Sequence, residues 1–260
     1  MKMRAMFAAA WPPVAFLALA LVAWEILVRW LEIPPYLVPS PAAVAREAWM
    51  SRADLVSASL VTLAGAVSGF VASLVFGTLA AVLFAQAAWI RASLFPYAIF
   101  LQTVPIVAVA PLIVIWFGPG FHSVVLVSFV LSVFPILSNA TTGLVRVDRE
   151  LLDLFRLHDA SRWQILTRLR LPHSVPMIVA GAKVSSGLTV IGAIVGEFFA
   201  GYGVRTPGLG YLILQSSGQL RTELLFACVG ASTLLGLGVF LATGLVARSV
   251  LSRLDEPQRE

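Results

Sequence analysis

The residues of this sequence that could do chemistry are few, and their spacing excludes most of it. The three histidines, His122, His158 and His173, stand apart, and none sits in an H-E-x-x-H pattern. No pair of acids recurs on one helical face. Cys228 is the lone cysteine, inside an apolar run, without the partners a disulfide or metal site needs. It reads as a small buried residue. The two lysines, Lys2 and Lys183, lie in no G-x-x-x-x-G-K-[ST] loop, so no ATP site is expected on this chain. A metal, a cofactor and a catalytic centre are likewise not expected here.

The other notable polar residues lie inside apolar runs. A polar side chain is costly in lipid and marks a solute pathway by default. Gln102 (with Thr103 and Pro105), Asn139, Lys183, Ser186 and Glu197 are the candidates for a translocation path, with Ser185 beside them. Lys183 stands nine residues past the start of its run at Ser174. That is roughly 14 Å along a helix, which suits either pore lining or snorkelling and helix pairing. Glu197 lies near the far end of the same run, where it could meet another helix or an external protein. Glu25 and Arg29 have the i, i+4 order of a structural ion pair.

The elements that position these residues follow from composition. The chain has 260 residues, 59% hydrophobic and 12% charged, where a soluble domain carries about 25% charge. Mean hydropathy is +0.92. Six apolar stretches stand out, at about 12–31, 59–86, 92–117, 122–144, 174–200 and 224–251. Each holds the roughly 20 residues a helix needs to cross the hydrocarbon core. They are too long and continuous for barrel strands. The expectation is one all-α polytopic membrane domain, residues 1–260, with six transmembrane helices. Lys2, Arg4 and Ala18-Leu19-Ala20 resemble a signal peptide, but the run continues to Trp30 and reads as a retained anchor.

Net charge is +5. The Arg residues gather at the ends of apolar runs, which points to membrane topology and not to nucleic acid. With the N-terminus inside, twelve basic residues fall on the inner side, and four (Arg46, Arg52, Arg205 and Arg221) on the outer side. Both termini are therefore expected in the cytoplasm. The outer segment 32–54 is Pro-rich and then reads as a short surface helix over 42–50. The outer loop 201–223 has glycines at 201, 203, 208 and 210, and Gly208-Leu-Gly-Tyr-Leu-Ile213 could start a re-entrant or interfacial helix. Gly65/Gly69 and Gly192/Gly196 stand four apart, a spacing that lets helices pack closely in lipid.

The inner segment 149–172 differs from every other loop. It is amphipathic and Arg-rich, and local chemistry divides it into two short helices. Asp148 can cap the first, which places Leu151, Leu154 and Phe155 on one face. The turn falls at His158-Asp159-Ala160. Ser161 and Gln164 form a capping box that starts the second helix. Trp163, Leu166 and Leu169 are its expected apolar stripe, and Pro172 its expected end. A surface hairpin lying among lipid headgroups and a docking element for a cytoplasmic partner both fit this pattern.

This segment resembles the cytoplasmic coupling loop of bacterial ABC-importer permeases, the binding-protein-dependent transport family. That loop reads E-A-A-x-x-x-G, nine residues, then I-x-L-P. Asp153 takes the Glu place, Leu154 and Phe155 the Ala places and Asp159 the Gly place. Leu169 takes the Ile place and Leu171-Pro172 completes the pattern; Ala160-Ser161 also fit. Asp159 is the largest departure, since left-handed backbone favours Gly, though Asp tolerates it better than most residues. Pro39-Ser-Pro41, Gly196-Glu-Phe-Phe-Ala-Gly201 and Gly208-Leu-Gly-Tyr-Leu-Ile213 are similar to the nitrate, taurine, sulfonate and vitamin-precursor branch.

The resemblance implies a type I importer permease of the bacterial inner membrane. It implies a second permease copy, two ATP-binding subunits that carry ATP and Mg, and an extracytoplasmic solute-binding protein. The coupling residues would be Asp153, Leu154, Phe155, Asp159, Ala160, Ser161, Leu169, Leu171 and Pro172. A pyrimidine- or flavin-type vitamin compound is the solute class it suggests, with sulfonate, taurine or nitrate as alternatives. An ATP-independent carrier or channel is the alternative from another class.

Overall fold

The structure, a computed structural model, describes residues 2–201 and 206–255, with side chains at 11–100, 102–201 and 206–252. Gly203, Arg205 and Arg259 lie outside the described residues, as do the side chains of Lys2, Arg4 and Arg253. Every regular element among the described residues is helical.

Three long helices form the centre: α3 (Arg52–Gln86), α6 (Phe121–Val145) and α9 (Leu171–Ala200), numbered by their order in the chain. Apolar side chains gain nothing by leaving lipid for one another, so close packing and interhelical hydrogen bonds must hold such helices together. Both are present. Both expected glycine pairs pack against α6. Gly65 of α3 faces Val124, where an added β-carbon would lie 3.0 Å from the side chain, and Gly69 faces Ser128. On α9, a β-carbon on Gly196 would lie 3.0 Å from Val124 Cα, and one on Gly192 2.6 Å from Ser128 Cα. Val124 and Ser128 are therefore clasped between two helices.

Hydroxyls join the same seam. Ser128 donates to the Thr189 carbonyl at 2.8 Å and Ser185 donates to the Ser132 carbonyl at 2.6 Å. Ser73 Oγ lies 2.6 Å from Ser132 Oγ. Ser73, Ser128, Ser132, Ser185 and Thr189 are all fully buried. Each hydroxyl reaches a neighbouring helix or its own backbone, so burial leaves it satisfied.

The remaining elements surround this core. α1 (Lys2–Trp30) lies at the edge, touching α11 (Thr222–Asp255) where Trp24 meets Phe226 at 5.7 Å between ring centres. Within α1, Glu25 pairs with Arg29 at 2.6 Å as its spacing predicts. The expected surface helix is α2 (Pro41–Met50), capped by Ser40, which accepts the Ala43 amide at 3.3 Å. The helix expected to start within 208–213 is α10 (Leu209–Gly218). Leu55, Ala58, Leu209, Ala227 and Cys228 form one buried cluster joining α3, α10 and α11. Cys228 is thus the buried small residue its surroundings suggested.

Among the described residues, five helical segments are long and apolar enough to cross a membrane: Trp11–Trp30, Arg52–Gln86, Phe121–Val145, Arg162–Ala200 and Thr222–Ser252. The third apolar stretch, expected as one helix over 92–117, is instead two: α4 (Ala88–Thr103) and α5 (Ile106–Phe117). Pro105 lies between them with extended backbone, φ −61° and ψ 117°. Pro105 has no amide to donate, and its ring disfavours helical backbone at Val104. The Thr103 hydroxyl donates to the Phe100 carbonyl at 2.7 Å and so satisfies one acceptor at the end of α4.

Candidate functional site

The inner loop folds as two short helices joined by a tight turn. α7 (Arg149–Leu157) starts at Asp148, whose side chain accepts the Glu150 amide at 3.2 Å. α8 (Arg162–Ile165) starts at Ser161 with both halves of the capping box formed. Ser161 Oγ accepts the Gln164 amide at 3.3 Å, and Gln164 Oε1 accepts the Ser161 amide at 2.7 Å. Asp159 stands in the turn with φ +51°, the left-handed conformation expected at that position. The Ala160 amide donates to the Phe155 carbonyl at 3.0 Å, which closes the end of α7.

The second half of the loop departs from expectation. Pro172 does not end a helix. α8 continues through a π-turn, Leu166–Arg170, directly into α9. Inside an α-helix, a proline loses one hydrogen bond and crowds the carbonyl four residues back. The widened turn before Pro172 gives that carbonyl, on Arg168, room. The extra residue of the π-turn also rotates the following side chains. Leu166 and Leu169 are buried (4% and 9% exposed), against the bundle and not on an outer stripe. Leu166 packs in one cluster with Phe84, Leu137 and Leu144, with Leu171 against its edge. The Arg170 guanidinium donates to the Ala85 carbonyl at 2.7 Å and so fastens the base of the loop to α3.

What remains outward is an apolar face with a charged rim. Leu154 and Trp163 are exposed, at 49% and 70%. Leu154, Phe155 and Ala160 line a shared cleft of about 260 Å³ with His158, Gln164 and Arg168. Asp153 and Arg156 form an exposed pair at 3.2 Å beside it. Leu154, Phe155, Asp159, Ala160 and Ser161 are therefore on one outward surface, while Leu169, Leu171 and Pro172 belong to its root.

The five candidate path residues are not alike. Asn139 donates to the Pro135 carbonyl of its own helix at 2.8 Å, beside Gly181 of α9. Ser186 is buried and donates to the Lys183 carbonyl at 2.7 Å. Lys183 is exposed, with Nζ 5.8 Å from the centre of the Phe240 ring on α11. Gln102 is exposed beside the break between α4 and α5.

Glu197 is 3% exposed and has partners the sequence did not reveal. Its Oε2 accepts the Thr62 hydroxyl at 3.0 Å and the Gly210 amide at 2.8 Å. Thr62 Oγ1 in turn accepts the Leu209 amide at 2.9 Å. Two free amides at the start of α10 are thus held by side chains of α9 and α3. A β-carbon on Gly208 would collide with the carboxyl, and one on Gly210 with the Ile194 carbonyl and the Glu197 β-carbon. The Gly-x-Gly spacing at 208–210 was the available signal for this contact, whereas Thr62 carried none.

Residues 73–252 match the family described as the binding-protein-dependent transport system inner membrane component. The chain belongs to that family. This permease is 34% identical to the riboflavin transport system permease protein of Chloroflexus aurantiacus, over 92% of its own length and 89% of the relative's. It is 33% identical to the formylaminopyrimidine transport permease protein of Halalkalibacterium halodurans, over 88% and 90% of the two chains. Its fold is similar to a chain in an inward-facing MetNI methionine ABC transporter, with a TM-score of 0.64 and 20% identity, over 77% of this permease and 97% of that chain. The permease is thus an all-helical inner-membrane subunit of an ABC importer for a small solute.

Proposed function

We propose that the permease works as a homodimer coupled to two ATP-binding subunits through α7 and α8, and receives solute from an extracytoplasmic binding protein. The observation that carries this reading is the outward surface of the inner loop. Its turn at Asp159 is left-handed, its capping box is complete, and its apolar residues Leu154 and Trp163 stand free for a partner groove. ATP and Mg would be bound by the partner chains. The loop lies on the side with most Lys and Arg, in keeping with a cytoplasmic position.

For the solute, we propose a vitamin or vitamin precursor of flavin or pyrimidine type. The names of the two relatives above support it. Sulfonate is the second reading, because a sulfonate permease protein of Bacillus subtilis is 28% identical over 60% of this chain. The path is proposed to pass Gln102. Non-helical backbone at membrane depth persists only where protein covers it or it lines an aqueous cavity, and Pro105 and Gln102 are exposed at such a break. Asn139, Ser186 and Lys183 are assigned to packing and helix pairing.

The test is uptake by the reconstituted assembly. Leu154→Arg places a charge in the apolar cleft and should leave the permease folded while uptake falls at least about tenfold. Stimulation of ATPase activity by the loaded binding protein should disappear with it. Undiminished uptake without any ATPase would instead make the chain a carrier or channel. Titrating the binding protein with riboflavin, formylaminopyrimidine and taurine decides between the solute classes.

A further inference from the structure

A second cleft, of about 380 Å³, opens between the start of α4 and the end of α6. Its walls are Arg91, Ala92, Phe95 and Pro96 on α4, Thr141, Thr142 and Val145 on α6, and Arg146 just after α6. The cleft is amphipathic. Arg91 and Arg146 line it and no carboxylate does. Neither Arg91 nor Arg146 takes part in an ion pair among the described residues. The Thr hydroxyl protons are already committed, Thr141 to the Leu137 carbonyl at 2.7 Å and Thr142 to the Ser138 carbonyl at 2.9 Å. Their oxygens remain acceptors only. An anion in the cleft would be held by the two guanidiniums, since the positive N-terminal end of α4 and the negative C-terminal end of α6 oppose each other there.

Position along the membrane narrows the ligand. Arg146 follows α6 directly and leads into α7, so the cleft lies at the level where the helices leave the hydrocarbon on the coupling-loop side. Trp89, 72% exposed and two residues before Arg91, is of the type that settles at the headgroup layer. Ala92, Phe95, Pro96 and Val145 continue the wall as an apolar face suited to acyl chains. Basic pockets between membrane helices on the cytoplasmic side suit anionic headgroups.

We propose that this cleft binds the phosphate of an anionic phospholipid of the inner leaflet, with Arg91 and Arg146 as the phosphate ligands. The Thr142 oxygen is placed to accept a headgroup hydroxyl, which favours a glycerol headgroup. The site is separate from the coupling surface and independent of which solute is carried.

The test measures lipid preference by thermal stability of the purified complex, titrated with phosphatidylglycerol or phosphatidylcholine of identical acyl chains. Both lipids carry the phosphate, but the fixed positive charge of choline is repelled by the two guanidiniums, which predicts half-saturation at about tenfold lower phosphatidylglycerol than phosphatidylcholine. The pair Arg91→Gln with Arg146→Gln should remove that preference, and the pair Arg91→Lys with Arg146→Lys should keep most of it. The charge-matched control Arg46→Gln with Arg52→Gln, at the other end of the bundle, should retain it in full. Equal response to the two lipids, or a preference that survives the double Gln variant, overturns the proposal. So does full replacement of the lipid effect by inorganic phosphate, which would mean a free-anion site. If the double variant fails to fold, Arg146→Gln alone decides, since that side chain is exposed: loss of at least half the preference supports the site, and no loss refutes it.

Discussion

Glu197 and Thr62, 135 residues apart in sequence, meet at 3.0 Å between carboxyl oxygen and hydroxyl. Together they hold the first two amides of α10, Leu209 on Thr62 and Gly210 on Glu197. A helix start of this kind normally relies on a side chain just before it or on water. Here the residue before it is Gly208, which offers none, and two other helices supply the acceptors.

Thr62→Val keeps the side-chain volume and removes the hydroxyl, leaving the buried Leu209 amide unpaired. The expected cost is about 1–3 kcal/mol, read as a lower melting temperature of the purified permease. Glu197→Gln retains an acceptor for Gly210 and should be milder than Glu197→Ala. Equal melting of the two Glu197 variants would contradict the contact.

Asp159→Gly should stabilise the inner turn by about 0.5–1 kcal/mol, because glycine adopts positive φ without strain. Asp159→Val should do the opposite. Hydrogen exchange across residues 155–165 reads both changes, and solute uptake should survive the glycine variant. Faster exchange in Asp159→Gly than in the parent would show that the aspartate side chain itself holds the turn.

Gly192→Ala forces a β-carbon against the backbone of Ser128, with 2.6 Å available. Separation of α6 from α9 should cost about 1–3 kcal/mol or more. Gly230→Ala is the matching control. Nothing lies within 4 Å of the added carbon, and alanine is the better helix former by about 1 kcal/mol. Comparing the two melting temperatures separates a packing role from a general intolerance of substitution.

Ser161→Ala removes half of the capping box and should cost α8 about 1 kcal/mol. The effect is expected in exchange of the first α8 amides, with the core amides of α6 unchanged. Loss of protection throughout the bundle would mean that the cap supports more than its own helix.

Local chemistry was legible wherever the partners lie a few residues apart. The Ser161–Gln164 box, the Asp148 cap, the turn at Asp159 and the Glu25–Arg29 pair all follow from short spacing. The glycine pairs predicted close approach but not the partner, which proved to be the same two residues of α6, Val124 and Ser128. The break at Pro105 was hidden because proline alone does not decide: Pro96, Pro111 and Pro135 all remain inside helices. The π-turn was equally invisible, since it depends on how the chain makes room around Pro172. Of the path residues, composition could mark Asn139, Ser186 and Glu197 as polar in lipid. It could not show that each is already bonded within the chain.

The unbroken passage from α8 through the π-turn into α9 makes one rod of 39 residues, Arg162–Ala200, about 58 Å long. Near its middle, Gly181 presses against Pro135 and Asn139 of α6. Gly192 and Gly196 press on the same helix farther along, so the rod is held at several points. The rod's inner end begins at the outward loop surface, and its outer end carries the carboxyl that grips α10. The loop surface beside Arg162 and the carboxyl that holds α10 therefore stand on one continuous helix. Any displacement of this helix as a rigid part is shared by both ends, with no relay of side chains between them.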